Sequence, residues 1–214
     1  MGQEDKKGNP LTVFDAEVND YIEVWKKYKI PPERHLGILE GNHCLAQTSH
    51  GMNPIIHFCG QTGYPYLAEY SAVIPVVFSF TKRNERRELI IICHHGWGGS
   101  NSRQKGGDVN KYILYSKGFD NFDISLFGHT HGYFCIPDVV LNCKTKKDYV
   151  EEKVILIGAC GTFLKTLEKG KSSTYSERGG MPPRVLSWLE VDIGFKEDQN
   201  GNVYLRYPHI LPSS

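Results

Sequence analysis

The 214-residue chain predicts an α/β fold of packed sheets, and three features of its pattern carry that expectation. Apolar runs of strand length recur at residues 35–40, 89–93, 122–127 and 153–157, each giving way to a loop. An amphipathic stretch near the start is long enough for a helix of several turns. A strand pair closes the chain, with Met181 to Ile193 and Val203 to Tyr207 joined through Asn200-Gly201, a dipeptide suited to a tight hairpin turn.

Phe14, Val18, Tyr21, Ile22, Trp25 and Tyr28 recur at three- and four-residue steps, which places a helix over residues 11–29 with these side chains on one face. Pro31-Pro32 stops it, because proline disfavours helix in the residue before it. His35 to Glu40 then reads as a short strand running into Gly41. The segment from Gly96 to Asp108 holds five glycines and few apolar residues, and reads as a surface loop. Tyr64 and Tyr66, around Pro65, read as strand packing rather than a base-stacking pair.

Length allows one sizeable core or at most two small ones, so residues 1–214 are expected to form a single domain. Charge is nearly balanced, 25 Lys+Arg against 24 Asp+Glu, which argues against a basic nucleic-acid-coating protein or a disordered tail. The longest apolar runs, 72–78 and 89–93, fall far short of the roughly 20 residues of a membrane helix, so no membrane partner is expected. The polar start, Met1 to Gly8, lacks the apolar segment of a secretory peptide, and Lys6 stands where a myristoylation motif after Gly2 wants Ser or Thr. Six scattered cysteines without a C-x-x-C pair suggest reduced thiols and an intracellular location. Cys93 and Cys160 end apolar runs and read as small buried hydrophobes rather than nucleophiles.

Five of the nine histidines fall in three tight groups at strand ends: Gly41-Asn42-His43, His94-His95-Gly96 and Gly128-His129-Thr130-His131-Gly132. The carboxyl edge of an α/β sheet is where ligand sites collect. Neutral imidazole suits zinc, iron and manganese-type ions, and an Asn carbonyl adds a harder donor. His129 and His131, two apart on an extended segment, point in similar directions and can each reach one of two neighbouring ions.

In this order the three motifs resemble the signature of the calcineurin-like metallophosphoesterases, G-N-H, a strand-end His, then G-H-x-H. The resemblance covers residues 36–193, and Ser173 to Glu177 looks like a downstream element of phage and archaeal members. It implies a metallophosphoesterase-like four-layer αββα sandwich and a hydrolase of phosphomonoesters or phosphodiesters that uses two divalent ions, manganese, iron or zinc. Asn42, His94 and His129 would bind the second metal and His131 the first. His43 would act at the leaving-group oxygen, as proton donor or as positive charge. The implied nucleophile is a metal-bridging hydroxide, available near neutral pH because cations acidify bound water.

The chain also departs from the family pattern. The family's pattern of His, any residue, then Gly or Pro favours His94 over its neighbour His95 as ligand. Cys44 stands where a carboxylate usually follows G-N-H to orient the histidine. The Asp-x-His and Gly-Asp motifs that hold the first metal do not precede Gly41, and Asp15 and Asp20 sit off the apolar face of their helix as solvated carboxylates. The resemblance therefore implies a domain incomplete at its N-terminus. It also leaves a rival reading, a non-catalytic relative that keeps vestigial or single-metal histidines and works by binding a partner.

Other signals read as ordinary surface. Gly170-Lys171-Ser172 resembles the end of a phosphate-binding loop, but Lys165 stands where its first glycine belongs. The basic runs 82–87 and 144–147 could meet nucleic acid, yet acidic residues interleave or follow them and no aromatic ladder accompanies them. Substrate choice is expected to lie in residues 45–70 and 96–110, around the histidine groups.

Overall fold

The computed structural model describes residues 10–28, 31–44, 53–80, 84–98, 107–144, 149–163, 165–167, 175–178, 183–184, 186–197, 199 and 203–212. The Asn200-Gly201 turn, Gly170 to Ser172, Gly2, Ser173-Thr174, Lys82-Arg83, 145–147, 45–52 and 99–106 lie outside the described residues. The chain is mixed α/β and divides into two compact units, Met1–Ile74 and Pro75–Ser214. Among the described residues no helix is long and apolar enough to cross a membrane.

The first unit is built on helix α1 (Pro10–Tyr28), strand β1 (Ile38–Leu39), helix α2 (Pro54–Thr62) and strand β2 (Tyr66–Ala68), with β1 and β2 parallel. Val18 and Ile22 of α1 are buried with Phe58, Cys59 and Tyr64, and Trp25 packs against them. Trp25 meets Tyr64 and Phe58 edge-on, with ring centroids 5.5 and 6.1 Å apart. The buried stripe is narrower than the periodicity suggested, because Tyr21 and Tyr28 are exposed. At about 100° per residue both stand on the flank of a line through Val18, Ile22 and Trp25. Asp20 is exposed, as a solvated carboxylate should be.

Helix α2 has clear ends. The Asn53 side chain accepts hydrogen bonds from Ile55 N and Ile56 N, both at 3.0 Å, and Pro54 follows it where a missing N–H costs nothing. Gly63 ends the helix in the left-handed region at φ 77°, donating to Cys59 O at 2.8 Å.

The second unit carries a five-stranded sheet in the order β3-β4-β5-β7-β6. Its strands are β3 (Ser71–Phe80), β4 (Glu85–His94), β5 (Ile124–Phe127), β6 (Phe134–Lys144) and β7 (Tyr149–Ala159). The two prolines within strands of this sheet, Pro75 in β3 and Pro137 in β6, fall on its edge strands, where a missing N–H breaks no central ladder. The centre is parallel: β4 pairs with β5 and β5 with β7. These strands are apolar on both faces, as Leu89 to Ile92 and Ile155 to Ile157 show. Asp123 stitches all three together, its carboxylate accepting from Ile90 N at 2.7 Å and pairing with Lys153 Nζ at 3.1 Å while its carbonyl accepts from Leu156 N at 2.9 Å.

Helix α3 (Gly107–Ser116) brings Tyr112 flat against Phe127, centroids 4.2 Å apart and planes 6° from parallel. These rings join Ile92, Phe122, Ile155, Ile157 and Ala159 in the core of this unit. A short helix α4 (Tyr175–Arg178) precedes an antiparallel pair, β8 (Leu189–Glu197) and β9 (Val203–Pro212), the expected C-terminal hairpin.

Candidate functional site

The register of the central strands sets the site. His94 of β4 lies opposite Phe127 of β5, and Phe127 opposite Ala159 of β7. Three parallel strands therefore end at one level, and the residues that follow them, His95, Gly128 to His131 and Cys160 to Thr162, emerge along one carboxyl edge. Backbone bonds continue past the strands, Gly128 N to His95 O at 3.1 Å and Cys160 N to Phe127 O at 2.8 Å.

At this edge His95 Nε2 stands 3.0 Å from His129 Nδ1, with the rings nearly perpendicular. His94, which the family pattern favoured, sits in different surroundings. Its Nδ1 accepts from Gly96 N at 2.7 Å, and its ring packs among Trp97, Tyr115 and Phe127, with centroids 5.1, 5.0 and 6.3 Å away. Burial in that aromatic nest lowers the His94 pKa, so the ring is held neutral. Successive side chains on an extended segment point to opposite faces, so the two adjacent histidines part: His94 packs beside Phe127 and His95 meets His129.

The G-H-T-H-G loop holds its histidines in an uncommon backbone. His129 and His131 both have positive φ, 67° and 58°, and Thr130 N bonds back to Gly128 O at 2.8 Å across a three-residue turn centred on His129. Non-glycine residues in this region cost roughly 1–3 kcal/mol each and cluster where geometry serves a site. His131 Nδ1 meets Thr162 Oγ1 at 3.3 Å, so a residue three places past the end of β7 orients the second histidine of the loop. Gly96, at φ 94°, lets the β4 and β5 loops touch: a Cβ there would stand 2.4 Å from Gly128 O and 2.8 Å from the Tyr112 hydroxyl. That hydroxyl in turn donates to Gly128 O at 3.1 Å.

A divalent ion fits part of this arrangement. Two nitrogens on one ion with bonds of about 2.0–2.1 Å stand roughly 2.9–3.4 Å apart, so the His95–His129 spacing serves a shared cation as well as a shared proton. Among the described residues no group of three or more His, Cys, Asp or Glu side chains converges as a metal site.

Asn42 and His43 belong to the first unit. They are exposed on a helical turn, 42–44, that starts where Cys44 N bonds to Gly41 O at 3.0 Å. Immediately before them Glu40 is 1% exposed, and its Oε1 accepts from Tyr66 Oη at 2.6 Å and from Asn53 Nδ2. Its Oε2 is buried and has no hydrogen-bond partner among the described residues. The bond to Glu40 pushes the Tyr66 phenol up to about 12. Cys93 has its thiol pushed up to about 11 by burial, which keeps it protonated and a weak nucleophile at neutral pH.

Sequence reading missed Thr162 and Glu40. Thr162 carried no local signal, since only the β5–β7 pairing brings it beside His131. Glu40 did carry one: a carboxylate at the end of the apolar run Ile38-Leu39, directly before Gly-Asn-His, is unusual for a buried position. No family model, curated protein or solved structure matches this chain, so the case for its chemistry rests on its own residues.

Proposed function

We propose that the chain is a divalent-metal-dependent phosphoester hydrolase of the calcineurin-like kind, built on the four-layer sandwich of that family. The observation that supports this best is the His95–His129 pair, 3.0 Å apart at the shared end of two parallel strands and followed by a G-H-x-H loop in strained backbone. In this reading His95 takes the ligand role that the family pattern gave to His94. His129 and His131 are the loop ligands; a ligand role for Asn42 rests on the family resemblance alone.

A cation held there would supply Lewis-acid charge for the phosphoryl oxygens and an acidified water near neutral pH. The chain's own residues do the rest. Thr162 orients His131, and Gly96 lets His95 and the loop come together. The family resemblance gives His43 the role of proton donor, or of positive charge, for the leaving-group oxygen.

A second reading, a non-catalytic binding protein, draws on one observation: among the described residues no group of three or more His, Cys, Asp or Glu side chains converges. One experiment separates the two. The purified chain is dialysed against manganese, its metal content is measured by elemental analysis, and p-nitrophenyl phosphate and bis(p-nitrophenyl) phosphate are assayed with His129→Ala and His131→Ala as controls. Metal uptake and hydrolysis lost in both variants are expected. A chain that takes up no metal and cleaves neither ester overturns the hydrolase reading.

A further inference from the structure

We infer that Arg184 is the anion-binding residue of this edge, set to take a terminal oxygen of a phosphomonoester; the inference rests on the phosphoester reading above. After leaving the sheet, the chain returns to the histidine edge at residues 183–184 and 186–187. Thr162 and Leu186 form an isolated parallel bridge, and Ser187 N donates to Thr162 O at 3.2 Å. Ser187 is 3% exposed, and a Cβ on Gly161 would stand 1.8 Å from its Oγ, so the two segments are in tight contact. Thr162 thus holds two things at once: its hydroxyl meets His131 Nδ1, and its backbone fixes the returning segment.

Arg184 lies two residues before that bridge. Its Nη1 is 4.0 Å from the place a Cβ on Gly132 would occupy, and Thr130 Oγ1 is 3.8 Å from the same place. The guanidinium therefore sits beside the G-H-T-H-G loop. Arg184 is exposed, and among the described residues no carboxylate pairs with it. A guanidinium binds phosphate oxygens through charge-assisted, often paired hydrogen bonds, and it keeps its charge at any working pH. A monoester has three terminal oxygens and a diester two. With two oxygens turned toward the histidine side, only the monoester keeps one for Arg184.

The test is inorganic phosphate binding by calorimetry to the full chain, alongside hydrolysis of p-nitrophenyl phosphate and its bis ester, with metal content measured in every sample. Arg184→Ala is expected to weaken phosphate binding roughly tenfold to a hundredfold and to raise the monoester KM by the same factor, the loss of a charged hydrogen bond. The diester KM and the metal content stay as in the wild type. Arg184→Lys keeps the charge without the fork and falls between. Arg178→Ala, another exposed arginine, is the control for general positive charge and leaves phosphate binding unchanged.

Unaltered phosphate affinity in Arg184→Ala overturns the inference, even in a chain that binds metal and hydrolyses esters. A wild type that binds no phosphate overturns it as well. Phosphate binding that depends on Arg184, in a chain that cleaves neither ester, supports the anion site and removes the hydrolase reading instead.

Discussion

His95 Nε2 and His129 Nδ1 meet at 3.0 Å across adjacent parallel strand ends, whereas His94, one residue away, turns into an aromatic nest. The two histidines of one dipeptide thus have different work, one at the edge of the sheet and one in its packing. His95→Ala and His129→Ala are each expected to lower manganese affinity by at least about 100-fold, the upper range seen for losing a mere supporting group. His94→Phe keeps the aromatic packing, loses an acceptor for Gly96 N–H, and should cost about 1 kcal/mol of stability with metal affinity retained. Calorimetric manganese titration and urea unfolding read the two effects separately. Loss of manganese binding in His94→Phe would restore His94 as the ligand.

Two glycines should respond in opposite directions. Gly96→Ala puts a Cβ 2.4 Å from Gly128 O in backbone with φ 94°, and should destabilise by at least about 2 kcal/mol. Gly60→Ala, inside α2 with nothing within 4 Å of the new Cβ, should stabilise by about 0.5–1 kcal/mol. Urea midpoints at constant slope check both.

Thr162→Val removes the hydroxyl beside His131 Nδ1 while keeping the shape of a residue that is 5% exposed. Manganese affinity is expected to fall about 10- to 100-fold, the usual effect of losing the group that orients a ligand histidine. Thr162→Ser should recover most of it. Equal affinity in the valine and wild-type proteins would show that His131 is held by other contacts.

The Glu40–Tyr66 bond gives a pH signature. A tyrosine whose folded pKa is raised from 10 to about 12 is favoured in its neutral form by folding. Its contribution is fully present below about pH 10 and is lost as pH rises through about 12. Ultraviolet titration should find the Tyr66 phenol among those ionising late, beside Tyr112, which burial also pushes up. In Glu40→Gln the carboxylate charge is gone, and the Tyr66 phenol should return toward the ordinary tyrosine value, leaving one fewer late phenol than in the wild type.

Asn53 serves two purposes in the same cluster, capping α2 through Oδ1 and donating to Glu40 through Nδ2. Asn53→Ala loses both and should cost about 1–3 kcal/mol, more than an exposed cap alone. Asn53→Asp keeps the cap but sets a second carboxylate against Glu40, and is expected to be the worse of the two at neutral pH. Thermal unfolding at neutral and acidic pH distinguishes them, since protonation relieves only the aspartate variant.

The elements that could be read from sequence alone are those whose signal is local. The apolar runs ending at Cys93, Phe127 and Ile157 became β4, β5 and β7, and the stepped apolar residues from Val18 to Trp25 became the buried side of α1. Helix α2 was not anticipated, because Pro-Ile-Ile-His-Phe-Cys-Gly-Gln-Thr has no clear polar face and owes its start to Asn53 and its stop to Gly63. Strand β6 was missed for a similar reason: Pro137 argues against a central strand, and only its edge position makes it acceptable.

Residue type and order along the chain were enough to group the histidines at strand ends, since short continuous apolar runs and the glycines around them are visible one segment at a time. Which histidine meets which was not a property of any one segment. It follows from the parallel register His94–Phe127–Ala159, which carries His95 to His129 and Thr162 to His131 from more than thirty residues away. Side-chain direction at a strand end flips with each residue, so a one-place difference in register exchanges His94 and His95. Pairing between strands, set by burial of Phe127 and Ile157 in a common core, made that choice.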